Sequence, residues 1–343
     1  MRYFITGHTG FKGAWLTLWL TSERHEVYGL SLDPEPGSLF ELAQVGELCA
    51  VDQRGDIRDS ETVISAILQA KPDVVVHMAA QPFVLDSYKR PRWTMETNVM
   101  GTLNVLEAVG LQGNVKALLV VTTDKVYRNI NQRAGYIESD PLGGDDPYSA
   151  SKAMADILTR SWAKSFPGTR TAVARAGNVI GGGDVSPGRL LPDIVAHLRA
   201  GTTPVLRHPE AVRPWQHVLD CLNGYRILID RLLDDTCDLN FDGGWNFGPG
   251  AESFVSVGEI ASMAMENWGA SGTWTTESTE KLHEAQLLAL DSTRAKTELG
   301  WANLLEVNVA ISWTLGWHRK LDSGESVRAA TMRQISEFDT KFT

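Results

Sequence analysis

The stretch Arg2-Tyr3-Phe4-Ile5-Thr6-Gly7-His8-Thr9-Gly10-Phe11-Lys12-Gly13, continued by Ala14-Trp15-Leu16-Thr17-Leu18-Trp19-Leu20, decides the fold. The aromatic and β-branched residues at 2–6 predict a strand, and the apolar run beyond Gly13 predicts a helix. Between them, glycines at intervals of three allow a tight turn and close backbone approach. An anion can then sit on free N–H groups at a helix N-terminus, where the dipole favours negative charge. Strand, glycine turn and helix in that order open a dinucleotide-binding unit. Gly7, Gly10 and Gly13 make the turn, with Thr9, Phe11 and Lys12 between them.

Working outward, further strands are expected at 26–31, 73–77, 115–121 and 171–175, with helical segments between. This alternation predicts right-handed βαβ units, and so an α/β fold with a doubly wound parallel sheet of the Rossmann type. Val74-Val75-Val76 and Ala117-Leu118-Leu119-Val120-Val121 are apolar without alternation, as strands buried on both faces should be. Beyond residue 176 the rhythm breaks at Gly181-Gly182-Gly183 and Pro187-Gly188, with helices expected near 190–200, 217–234 and 256–268. Two domains follow: a dinucleotide-binding domain over 1–176 and a smaller, discontinuous C-terminal substrate domain over 177–343.

Composition narrows the function. The chain has 343 residues, 43% hydrophobic and 22% charged, which is ordinary for a globular protein of two domains. Its 32 basic and 42 acidic residues give a net charge of −10, and no basic run could track a phosphate backbone, so neither nucleic acid nor membrane is an expected partner. Three cysteines, without C-x-x-C spacing, read as reduced thiols in a cytoplasmic protein, and no metal site is expected. No apolar run reaches the length of a membrane span.

The strand ends supply the remaining candidates. Ser31 closes the second strand where an acid usually accepts ribose hydroxyls, and Asp33 follows two residues on; NAD is the cofactor read from that pattern. Ala79 and Ala80, in His77-Met78-Ala79-Ala80-Gln81-Pro82, are small enough for a cofactor to lie against the backbone, while His77 reads as a core histidine. Asn98, amid apolar neighbours on a helix, reads as a structural hydrogen bonder. In Tyr148-Ser149-Ala150-Ser151-Lys152 the i, i+4 spacing puts a phenol and an ammonium on one helix face. A free phenol titrates at ~10, and neighbouring positive charge favours the phenolate, so Tyr148 can take an alcohol proton as hydride leaves the same carbon. The fifth strand ends in Thr122-Thr123-Asp124-Lys125, an acid and an amine beyond what simple oxidation and re-reduction of one carbon requires.

Taken together, the glycine turn, Thr123-Asp124-Lys125, Tyr148/Lys152, Gly177-Asn178-Val179-Ile180-Gly181-Gly182-Gly183-Asp184 and Arg213-Pro214-Trp215-Gln216-His217-Val218 resemble the CDP-glucose 4,6-dehydratase family. These enzymes form a branch of the extended short-chain dehydrogenase/reductases. The resemblance covers nearly the whole chain. It implies Thr123, Asp124, Lys125, Tyr148 and Lys152 as catalytic. It also implies tightly held NAD near Asp56 and Ile57 for the adenine, with Ala79, Ala80, Gln81, Asn98 and Thr122 along the cofactor. A nucleotide diphosphate sugar would meet Gln81, Asn178, Arg189, Arg213 and His283, and a homodimer is expected. Tyr148 would deprotonate the sugar 4-hydroxyl as C4 hydride passes to NAD. Lys125 as a neutral amine would remove the C5 proton while Asp124, protonated, donates to the departing 6-hydroxyl, and hydride would return to C6. Val185, Gly188 and Asp145 depart from the family pattern around the substrate. A 4,6-dehydratase of another nucleotide sugar and a nucleotide-sugar 4-epimerase remain alternatives.

Overall fold

The computed structural model describes residues 1–132, 134–250, 253–277 and 287–342. Its strands are β1 (Arg2–Thr6), β2 (Glu26–Ser31), β3 (Val51–Arg54), β4 (Val74–His77), β5 (Ala117–Val121), β6 (Arg170–Ala176), β7 (Asn178–Ile180), β8 (Val205–Leu206), β9 (Val212–His217), β10 (Gly244–Phe247), β11 (Phe254–Ser256) and β12 (Thr275–Thr276). Seven of them form one sheet in the order β10-β6-β5-β4-β1-β2-β3, every neighbour parallel. The order 3-2-1-4-5-6 is that of a doubly wound dinucleotide-binding sheet, whose switch point lies between β1 and β4. β10 comes from beyond residue 176, so the second half of the chain completes the main sheet. Smaller sheets join β11-β9-β7 and β12-β8.

Period-two geometry explains the continuous apolar strands. Tyr3, Ile5, Val74, Val76, Leu119 and Val121 point into one buried cluster, and Phe4, Val75, Leu118 and Val120 into another on the opposite face. Helices Ser60–Ala70 and Gly101–Gln112 cover the second face, and Phe11–Ser22 and Val218–Leu233 the first. The helices expected in the second half lie at Leu190–Ala200, Val218–Leu233 and Val257–Trp268. Trp15, Trp19, Trp215, Trp245, Trp301 and Trp317 are core residues. All three cysteines are free, and among the described residues no helix is long and apolar enough to cross a membrane.

His77 is the core histidine its setting implied. Its ring lies 2.7 Å from Thr6 Oγ1 and 3.0 Å from Thr102 Oγ1, and burial, with Lys152 adding, pushes its pKa down to about 3. The ring therefore spans β4, β1 and the helix Gly101–Gln112 in its neutral form.

The glycine turn is packed as closely as its sequence requires. Gly7 has φ +78°, and a Cβ there would stand 2.7 Å from Ala79 N; one on Gly13 would stand 2.1 Å from Gly7 O. Helix Phe11–Ser22 thus starts directly against the end of β1. Gly13→Ala should destabilise the protein by about 1–3 kcal/mol, as overpacking does. Urea unfolding should show a lower midpoint at unchanged slope, and a midpoint equal to that of the parent would mean that the turn is looser than described.

Candidate active site

The cradle comes first. Gly10 N–H donates to Gly7 O at 3.1 Å, and the first intrahelical bond is Ala14 N–H to Gly10 O at 2.8 Å. The N–H groups of Phe11, Lys12 and Gly13 therefore precede the helical ladder and face out at the positive end of the dipole. A Cβ on Gly10 would meet only Gly7 O, at 3.3 Å, so the space before the helix is open to a ligand. Beside it, Thr9 Oγ1 and Ser31 Oγ lie 2.6 Å apart, and Thr9 also donates to Leu32 O at 3.1 Å. These features fit a dinucleotide.

Arg54 bears on which dinucleotide. Its Nη2 donates to Asp52 Oδ2 at 2.9 Å and its Nε lies 3.4 Å from Asp33, which is otherwise exposed. A guanidinium committed to two carboxylates is poorly placed to clamp a 2′-phosphate, so the site suits the unphosphorylated cofactor. Asp56 accepts from Arg58 N–H and Nε, both at 2.9 Å; burial pushes its pKa up, but these bonds outweigh it and hold the carboxylate low. Asn104 ties Ile57 O at 2.8 Å, fixing the turn at that strand end. Ala79 N–H is 3.2 Å from Thr6 Oγ1, which lays the Ala79-Ala80 backbone along the switch point.

Asn98 acts through its neighbours. Its Nδ2 donates to Ser151 Oγ at 2.8 Å and Gln81 O at 3.1 Å, and its Oδ1 accepts from Gln81 N–H at 2.8 Å. The amide joins the loop after β4 to the helix Pro147–Ser165. Gln81 in turn closes on Phe83, donating to its carbonyl at 2.8 Å.

The reacting groups converge on that helix and the end of β5. Tyr148 is buried in its first turn, and Asp146 Oδ1 caps the helix by accepting Ser149 N–H at 2.9 Å. Burial pushes the phenol up to about 12, while a hydrogen bond with Thr123 and the nearby Arg189 pull it down. Lys152 Nζ donates to Val121 O at 2.8 Å, fastening the helix to the strand end. Burial first, and the Lys12 charge second, lower its pKa to about 7, with Asp156 opposing. Asp124 is buried, accepts from Thr123 Oγ1 at 2.8 Å, and leaves Oδ2 with no partner. Burial raises its pKa against the pull of Lys125, Thr123 and Arg213. A carboxyl so placed is suited to hold a proton and to donate it. Thr122 is also buried, with N–H to Ala174 O at 2.8 Å.

On the substrate side, Asn178 begins β7 opposite Trp215, and Arg213 is buried on β9, donating to Val212 O at 2.8 Å. Arg189 precedes the helix Leu190–Ala200, with its guanidinium 6.0 Å from the Phe83 ring and 3.9 Å from Asp184. His283 lies outside the described residues.

Sequence reasoning missed several groups. Lys12 Nζ, assigned only to the cradle, reaches across to Tyr225 OH at 3.1 Å on the helix Val218–Leu233. His8 lies 2.7 Å from Asp52 Oδ1. Asp156 and Arg175 form a fully buried pair at 2.8 Å. A charged residue in the buried strand Val173-Ala174-Arg175-Ala176, and an acid at i+4 from Lys152, were the signals: buried charges must find partners.

Comparison with known proteins gives the family and agrees with the fold. The sequence profile described as GDP-mannose 4,6 dehydratase matches residues 4–312. The chain belongs to that family. It is 41% identical to a protein named CDP-glucose 4,6-dehydratase from Salmonella typhimurium, covering 98% of this chain and 96% of that one. With the dTDP-glucose 4,6-dehydratase of Mycobacterium tuberculosis it shares 34% identity over 67% of this chain and 69% of that relative. Among solved structures, DesIV, the dTDP-glucose 4,6-dehydratase of Streptomyces venezuelae with NAD and TYD bound, superposes with a TM-score of 0.79 at 25% identity, covering 96% and 100% of the two chains. UDP-glucose 4-epimerase from Thermotoga maritima superposes at 0.82 with 21% identity, over 94% and 99%, a likeness of fold.

Lys12 lowers the pKa of the buried Lys152, which gives a direct test. The Lys152 amine should titrate near its shifted pKa of about 7, read from isotope-labelled lysine resonances. Lys12→Met removes a like charge, so the Lys152 midpoint should move to higher pH. A midpoint that stays in place would show that Lys12 does not act on Lys152.

Proposed function

We propose that the chain is an NAD-dependent CDP-glucose 4,6-dehydratase, a hydro-lyase forming CDP-4-keto-6-deoxyglucose and water. The observation that carries this reading is a buried acid, Asp124, set beside Thr123 and Tyr148 at one strand end and within reach of the Lys125 charge. A 4-epimerase has no use for the acid and the amine. The name of the 41% identical relative supports the choice of CDP-glucose.

In this reading Gly7, Gly10, Gly13 and the N–H groups of Phe11 and Lys12 hold the cofactor diphosphate. Thr9 and Ser31 face its ribose, Asp56 and Ile57 its adenine, and Ala79, Ala80 and Thr122 its nicotinamide half. When bound, NAD supplies a positively charged acceptor for the C4 hydride, which is returned at C6. Tyr148, whose phenol is pushed up by burial, gives up its proton only where such positive charge is added. It then takes the 4-hydroxyl proton, with Lys152 holding it against β5. The new ketone acidifies C5, and Lys125 removes that proton. Asp124, held protonated by burial, gives its proton to the 6-hydroxyl, which leaves as water. Lys125 finally returns a proton to C5.

Domain 1–176 would carry the cofactor and 177–343 the nucleotide sugar, through Gln81 at the border, Asn178, Arg189, Arg213 and His283. Guanidinium forks suit diphosphate oxygens. A homodimer is proposed through the exposed apolar side chains of Met100, Met154 and Ile157, on helices next to the site; an Ile157→Asp variant should sediment as a monomer if that face is the interface, and as the parent does if it is not. The free thiols fit a reducing compartment, and the cytoplasm is the proposed setting.

Mass spectrometry after incubation with CDP-, GDP-, UDP- and dTDP-sugars tests the reaction. CDP-glucose should yield a product lighter by one water; activity confined to another nucleotide sugar would overturn the substrate. Lys125→Met should slow elimination by ~10²–10⁴-fold while oxidation at C4 persists, and Tyr148→Phe should abolish the oxidation itself. Parental elimination by the Met variant would remove Lys125 from the base role.

A further inference from the structure

Asp156 and Arg175 present no exposed side-chain surface and take no part in the chemistry proposed above. The guanidinium meets the carboxylate as a fork, Nε to Oδ2 and Nη2 to Oδ1, both at 2.8 Å. Such a buried pair is weak evidence for stability, since apolar residues of the same volume often do as well. Its attachments point to a different role.

They bracket the triplet Thr123-Asp124-Lys125. On the near flank, Thr122 Oγ1 lies 3.5 Å from Asp156 Oδ2. On the far flank, Arg175 Nη1 donates to Tyr127 OH at 2.8 Å and to Glu138 O at 3.2 Å. The Tyr127 hydroxyl donates onward to Asn246 Oδ1 at 2.7 Å on β10, and Asn246 Nδ2 donates to Tyr136 O at 2.8 Å. The Tyr127 and Tyr136 rings stack at 5.2 Å. Asp156 itself stands one helical turn beyond Lys152 on the helix that carries Tyr148.

We propose that the Asp156–Arg175 pair is a positioning clamp, holding both flanks of Thr123-Asp124-Lys125 in register with the Tyr148/Lys152 helix so that the elimination and oxidation groups address one sugar. The clamp rests on the 4,6-dehydratase reading. Neither residue reaches the reacting atoms; both are positioning residues. The two halves of the reaction depend on it unequally. Tyr148 and Lys152 are carried by a 19-residue helix, whereas Asp124 and Lys125 sit in a single three-residue turn, Asp124–Val126. Loosening the clamp displaces the turn and leaves the helix.

Tyr127→Phe removes the hydroxyl that links the turn to Arg175, and Arg175→Lys keeps the charge but loses the fork. In both, with NAD and CDP-glucose, reduction of bound cofactor should proceed near the parental rate. Loss of water should slow by about 10²-fold, the scale of a 1 Å misplacement. Reduced cofactor should then accumulate, and kcat should fall while KM holds. A merely structural role would slow both steps in proportion to the folded fraction, and an unchanged ratio of the two rates overturns the clamp. Crystal structures of the parent and Tyr127→Phe give a readout without turnover: the Lys125 Nζ to Tyr148 Oη separation should change by about 1 Å, and an unchanged separation overturns the proposal. If the parent dehydrates no nucleotide sugar, the reaction assignment fails, and the structural comparison alone decides the clamp.

Discussion

Strands β1, β4 and β5 are covered by helices on both faces, so their side chains stay apolar until the sheet ends, and polar groups gather at the carboxyl edge. Thr6, His77 and Thr122 are the first polar side chains each of these strands meets at that edge. A parallel sheet brings those edges together on one side. The cofactor cradle, the Thr6–His77 contact and the acid–amine turn are consequences of that constraint, spaced by the distance between neighbouring strands.

The same burial sets the electrostatics. Lys152 falls from 10.5 to about 7, which corresponds to a cost on the order of 5 kcal/mol for its charged form. Lys12 is lowered by burial as well, with Arg189 adding, and Tyr148 and Asp124 are raised. Every one of these shifts disfavours charge at the site. A diphosphate bound beside them would reverse the balance for the lysines, because an adjacent anion stabilises an ammonium more strongly in a low-dielectric cleft than in water.

The local signals in the sequence were strong. The glycine turn lies between a strand and a helix whose packing leaves no room for side chains at Gly7 and Gly13, and β1 and β2 begin and end where their patterns predicted. Tyr148 and Lys152 share a helix face because i, i+4 spacing requires it. What stayed hidden depends on partners distant in sequence. No local rule pairs Lys12 with Tyr225 across 213 residues, or Tyr127 with Asn246 across 119. β10 was unreadable for the same reason: Gly244-Trp245-Asn246-Phe247 is too short to declare a strand until β6 offers it an edge. Asn98 was legible as a hydrogen bonder but not as the link between Gln81 and Ser151.

Those long-range contacts also join the two halves of the site. Trp15 Nε1 donates to Gly182 O at 2.9 Å, Leu39 N–H to Gly183 O at 3.2 Å, and Lys12 Nζ to Tyr225 OH at 3.1 Å. Two of the three start from the glycine-turn helix, so the element that would cradle the cofactor is bonded directly to a loop and a helix of the second half of the chain. A hydride that leaves C4 and returns to C6 of one molecule requires cofactor and sugar to keep a single relation through oxidation, elimination and reduction. A helix bonded to both halves of the chain would serve that requirement, because displacing the cradle strains its bonds to Gly182 and Tyr225.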